Sequence, residues 1–211
     1  MNISAIYAKY SIPQNLQTHM LRVAALGSLI CDELNPELVD KDLVVKTLLL
    51  HDMGNILKFD FERLDLFEDE DKKNVEKYKK AQQDFKSKYG SDPDVATLMI
   101  IGEVTNDTRV GTLCKEAHWL NLQKYLNTNR WNEKICTYCD MRTGPFGLLS
   151  LTERIHDLKI RRPKESADLD VLLKQGLLVE QKLKELTQGR VSEITSEQVE
   201  DTAKLLKAFD V

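Results

Sequence analysis

The stretch DKDLVVKTLLLHDMG, residues 40–54, decides the fold class. Asp40 is a helix N-cap residue, a long apolar run follows, and Gly54 marks the stop. Upstream, Leu16, Met20, Val23, Ala24 and Ile30 recur at spacings of three, four and their sums between Pro13 and about Leu34, which is one face of a helix. Asn35-Pro36 breaks that run. Downstream, residues 60–71 are acidic and irregular, and FEDEDKK (67–73) reads as a solvated loop. Val75, Tyr78, Ala81, Phe85 and Tyr89 then sketch an amphipathic helix with a charged outer face. Asp92-Pro93 starts another helix, and helical patterns resume over 112–126 and 133–141. A turn at 143–147 precedes a capping box, Ser150 to Glu153. Two further helices are expected at 166–188 and 196–209, the second behind a box from Thr195 to Gln198. The pattern predicts an all-α helical bundle. Arg161-Arg162-Pro163 is the expected joint between a main domain, 1–162, and a C-terminal helical pair, 163–211, packed on the same domain.

The chain has 211 residues, 42% apolar and 30% charged, the balance of a soluble globule. Thirty basic residues against 34 acidic ones give a net charge of −4, which argues against general nucleic-acid binding. The apolar stretch ATLMIIG (96–102) is too short to span a bilayer. MNISAIYAKYSIPQ lacks the basic and apolar regions of a signal peptide, and four cysteines are ordinary usage. The expectation is a cytoplasmic protein with no membrane partner.

Only four histidines are present: His19, His51, His118 and His156. His51-Asp52 ends the most hydrophobic of the expected helices, where strongly polar side chains must find partners or a ligand. Imidazole with carboxylate suits a divalent metal of intermediate hardness. Neighbours on a helix point about 100° apart, so this pair supplies only part of a coordination shell. His19, beside the apolar stripe of the first helix, and Asp140, at the end of KICTYCDMR (134–142), are the candidates to complete it. Two nitrogens and two oxygens leave room for water, the mark of a catalytic metal rather than a structural one. Cys136 and Cys139 form a CxxC without a second pair and read as packing residues. His156-Asp157 lies on a highly charged helix and reads as surface.

THMLRVAALGSLI (18–30), LLLHDMGNILKFD (48–60) and YCDMRTGPFGLLSLTERI (138–155) place H, HD and D in order within helices. In this the chain resembles the HD-domain superfamily of metal-dependent phosphohydrolases over roughly residues 13–160, and in particular the bacterial 5′-deoxynucleotidase-like branch. The resemblance implies that His19, His51, Asp52 and Asp140 hold one divalent ion, with Mn, Fe, Co, Ni, Zn and Mg as candidates. Members with two metals carry further histidines between the HD pair and the last aspartate, where this chain has only His118. Similar deoxynucleotidases carry glutamate three residues after the HD aspartate; this chain has Asn55, which can orient a water but is no base. Asp60 matches an aspartate of that pattern and is expected to share the work of Asp52 and Asn55. Lys58, His118, Arg142 and Arg154 are the candidates to hold the phosphate or assist the leaving group. The implied function is hydrolysis of a phosphate ester of a nucleotide or similar small molecule. The alternative is a metal-containing nucleotide sensor. The Leu-rich VLLKQGLLVEQKLKEL (171–186) leaves a homodimer contact open.

Overall fold

The computed structural model describes residues 1–62, 67, 69–161 and 163–211. Its helices are α1 (Ile3–Lys9), α2 (Gln14–Asp32), α3 (Lys41–Leu50), α4 (Asp69–Lys73), α5 (Val75–Tyr89), α6 (Pro93–Val104), α7 (Thr108–Glu116), α8 (Leu122–Tyr125), α9 (Trp131–Arg142), α10 (Leu151–Arg161), α11 (Ser166–Leu186) and α12 (Ser196–Leu206). The only sheet among the described residues is a two-stranded hairpin, Thr143–Gly144 against Gly147–Leu148. The fold is all-α, as the periodicity indicates. No helix among the described residues is long and apolar enough to cross a membrane.

At the centre, α2 packs along α3, and α9 lies against both. Their facing residues Met20, Val23, Ala24, Val44, Leu48, Ile135 and Cys139 are fully or almost fully buried. That packing brings the three helices that carry His19, His51 and Asp140 into direct contact. The core is continuous: Leu169, Leu172, Val179 and Leu183 of α11 and Val199 of α12 belong to the same apolar cluster. Residue 162, in the expected joint, lies outside the described residues.

The caps follow the sequence. Asp40 accepts from the Leu43 N–H at 3.0 Å, and Asp92 accepts from Asp94 and Val95 at 2.9 and 3.1 Å. Both capping boxes form, at Ser150/Glu153 and Thr195/Gln198. Three features differ from the sequence reading. A short helix, α1, precedes α2, and its Ile3 N–H reaches the Phe209 carbonyl at 2.9 Å. The expected helix over 112–126 is broken after Glu116, because the His118 ring nitrogen accepts the Leu120 N–H at 3.3 Å and caps a new turn. The acidic run is no solvated loop throughout: Phe67 and Asp71 are buried. Asp71 accepts from the Gln14 and Asn15 N–H groups at 2.7 and 2.9 Å. It thereby caps α2, whose own N-cap, Pro13, offers no side chain for the purpose.

Gly54 sits at φ −85, which any residue can adopt, so its role is space. A Cβ added there would stand 2.1 Å from the Pro93 carbonyl and 2.9 Å from the Thr97 amide nitrogen. The Gly54 N–H also donates to Thr97 Oγ1 at 2.9 Å, holding the turn after His51-Asp52 on the start of α6. Gly54→Ala must push backbone from backbone, so a loss of roughly 2–4 kcal/mol is expected, on the scale of strain and overpacking. Urea denaturation checks it; a midpoint equal to wild type contradicts the close approach.

Candidate metal centre and its cavity

His51 is the C-cap of α3, where the helix ladder has run out of donors. Its Nδ1 donates to the Leu48 carbonyl at 2.7 Å. A carbonyl only accepts, so the proton is on Nδ1 and the lone pair on Nε2. Nε2 is buried and has no hydrogen-bond partner. It points toward the Asp52 and Asp140 carboxylates, at 3.7 and 3.9 Å. From α2, His19 Nε2 lies 3.7 Å from Asp52 Oδ2 and 3.2 Å from Asp140 Oδ1. The two imidazole rings are 5.5 Å apart and tilted. One ligand atom each from His19, His51 and Asp140 lies within 4.8 Å of the other two, the spacing that a single cation bridges.

The electrostatics fit a cation. Burial by itself would lower the His51 pKa, but the carboxylates of Asp52 and Asp140 and the bond to Leu48 lift it above the ordinary 6.5. Burial would raise Asp140, yet the hydrogen bond from His19 and the charges of His51, His19 and Arg154 hold it well below the usual carboxylate range. A buried orphan nitrogen surrounded by carboxylate oxygens is what a resident divalent ion satisfies.

These groups open into a cavity of about 490 Å³, the size of a small-ligand pocket. Among the described residues, four buried side-chain polar atoms lack a partner. Three of them, Thr47 Oγ1, His51 Nε2 and Arg154 Nε, belong to residues lining this cavity. Asn55, Lys58, His118 and Arg154 all line it. Asn55 opens the 3₁₀ turn Asn55–Lys58, its N–H on the Asp52 carbonyl at 2.9 Å. Lys58 is at the mouth, 3.9 Å from Asp94. Arg154 is nearly buried on α10 and pairs with Asp157 at 3.2 Å.

Two expected residues are not at the cavity. Arg142 follows Asp140 by two positions, about 200° around the helix, and so faces away. Its Nε donates to the Leu149 carbonyl at 2.6 Å and its Nη1 reaches Tyr138 and Glu180, which makes it the brace of the 143–150 turn. Asp60 follows the extended Phe59, is exposed and accepts the Glu62 N–H at 3.0 Å. His156 is exposed, as expected of a surface residue. Cys136 and Cys139 are buried, and burial pushes both thiols up, so they act as small apolar side chains.

The structure adds residues the sequence did not flag. Thr47 sits one turn before His51, and the helical i, i+4 rule would have placed it on the same face. Asp94, Lys115, Trp119 and Asn121 come from α6, α7 and the turn after it, and only folding gathers them. Leu158, Leu169 and Leu172 bring α10 and α11 into the wall.

Residues 16–107 match the family model of the HD domain. No curated protein and no solved structure matches the chain significantly. The matched segment contains His19, His51 and Asp52, while Asp140 joins them from α9, beyond its end. The match, over less than half of the chain, supports membership of the HD-domain superfamily, a helical fold like the one described here, whose members include metal-dependent phosphohydrolases.

Proposed function

We propose that the protein hydrolyses a phosphate monoester of a nucleotide or similar small molecule, with one divalent ion held by His19, His51, Asp52 and Asp140. The observation that carries this reading is that three buried polar atoms without partners belong to residues lining one cavity, beside the grouped ligand atoms of His19, His51 and Asp140. When bound, such an ion supplies Lewis acidity that lowers the pKa of water and offsets phosphoryl charge. Asn55, on the turn after Asp52, orients the attacking water toward phosphorus. Asp52 accepts its proton as the new P–O bond forms. Arg154 donates to a non-bridging phosphoryl oxygen and stabilises the charge that builds there. The His118 Nδ1 accepts a backbone N–H, so neutral His118 carries its proton on Nε2. That proton goes to the leaving oxygen as the ester bond breaks. Asp60 and Arg142 take no part. Residues 1–162 form the HD domain in this reading, and 163–211 complete the wall of its cavity.

A nucleotide sensor is the second reading, favoured by Asn55, which is no base. Phosphate release across a nucleotide panel, with Mn²⁺, Co²⁺, Ni²⁺ or Mg²⁺ added, separates the two. Turnover that is lost on chelation and restored by one of these ions is the expected result. Tight binding of one nucleotide without release of phosphate selects the sensor.

A further inference from the structure

A groove of about 410 Å³ runs between α8 and α11. From α11 it is lined by Val171, Lys174, Gln175, Leu178 and Lys182. These fall at i, i+3, i+4, i+7 and i+11, one stripe of a helix over about 16 Å. Val171 and Leu178 are 53% and 54% exposed, so two large apolar side chains on one stripe face water. The walls are tied at two points. Gln175 Nε2 donates to Gln123 Oε1 at 2.9 Å, and Lys182 Nζ donates to the Leu126 carbonyl at 2.6 Å. We propose that the groove docks an acidic amphipathic helix of another protein, with its apolar stripe on Val171 and Leu178 and its carboxylates on Lys174 and Lys182.

Charge selects the occupant. Among the described residues, no carboxylate lines the groove, and Lys174 is exposed and has no ion pair. The Lys182 ammonium ends on a carbonyl, and the buried Lys134 ends on another carbonyl of the same turn, Thr128, at 2.6 Å. Burial and the charge of Lys182 hold Lys134 below its ordinary pKa. Glu133, which opposes this, is itself engaged by Arg130 at 2.9 Å. The groove thus carries positive charge that nothing in its lining offsets, on a chain whose net charge is −4. The same sign argues against a second copy, because an isologous contact along this stripe sets lysine against lysine. A small anion would leave Val171 and Leu178 in water, whereas an acidic helix covers them and meets both lysines. Leu169 and Leu172, on another face of α11, line the cavity beside His19 and His51, so the partner rests on a helix that helps to enclose that cavity. The inference does not depend on what the cavity binds.

The test uses the full chain and two fluorescein-labelled synthetic helical peptides of equal length. Both carry leucine at i, i+3, i+7 and i+10; the flanking positions are glutamate in one and lysine in the other. Fluorescence anisotropy is expected to show the acidic peptide binding at least about tenfold tighter, with the gap narrowing in high salt. Lys174→Glu should abolish that preference, and Leu178→Ser should weaken the acidic peptide by about tenfold. Both positions are exposed, and circular dichroism checks that each variant is folded. Lys80→Glu, the same charge change at an exposed position of α5, should leave binding intact. No binding of either peptide, equal affinities for the two, or an equal loss in Lys80→Glu and Lys174→Glu each overturns the proposal. Sedimentation velocity covers the remaining occupant: a dimer that Leu178→Ser dissociates would assign the face to a second copy and overturn it as well.

Discussion

Asp140→Asn is expected to remove nearly all of the metal-induced rise in melting temperature. A ligand that binds only the folded chain stabilises it by RT ln(1 + [L]/Kd), about 2.7 kcal/mol at one hundred times Kd. For a domain of this size that is a rise of roughly 5–11 °C. A neutral amide is a much poorer ligand than a carboxylate, so the mutant rise should shrink to about 1 °C at the same ion concentration, assuming affinity falls about 100-fold. The metal-free protein should also respond. From sequence, Asp140 and Asp52 look set to crowd one another without a cation, so that neutralising one would do no harm. The geometry argues otherwise, because Asp140 Oδ1 lies against His19 at 3.2 Å and His51 at 3.9 Å. Its folded pKa is depressed, so its contribution is present above the ordinary 3.8 and lost only as pH falls through the folded value. At neutral pH the metal-free mutant should therefore melt below the metal-free wild type. Scanning calorimetry of both proteins, with and without ion, reads both effects. A full metal-induced shift in Asp140→Asn would take Asp140 out of the ligand set.

Asn55→Glu is expected to raise phosphate release by about 100-fold, the usual contribution of a positioned general base. Asn55 lines the cavity directly after the Asp52 turn, so a carboxylate there would face the water that the amide is proposed to orient. Nearby Lys58, partly exposed at the mouth, offsets the added charge. If the natural protein is a sensor, the same change should give it turnover that it lacks. Release is measured with the metal held saturating, and metal affinity by calorimetry should stay within a few-fold. An unchanged rate would mean that Asn55 is not beside the attacking water.

The helices that carry the proposed metal ligands were legible because their burial is periodic and their ends carry strong caps. His19, His51, Asp52 and Asp140 could be singled out because each places a polar side chain beside an apolar run. Residues whose role depends on direction were harder. Arg142 looks adjacent to Asp140 along the chain but lies across the helix, whereas Arg154, fourteen positions on, returns to the cavity on α10. Asp60 is eight residues from Asp52, yet one extended residue, Phe59, carries it out to solvent. Asp71 looked like part of a solvated charge run; it is buried because the start of α2, fifty-seven residues earlier, lacks a cap of its own. The apolar wall from α11 and the Trp119 turn carry no local signal, since their meeting is a product of tertiary packing.

The most direct test of the account is an anomalous-difference map from crystals grown with Mn²⁺. One strong peak per chain is expected, between His19 Nε2, His51 Nε2 and the carboxylates of Asp52 and Asp140, at coordination distances of roughly 2.0–2.3 Å. A map with no peak among these four residues, or with its peak elsewhere, would contradict it.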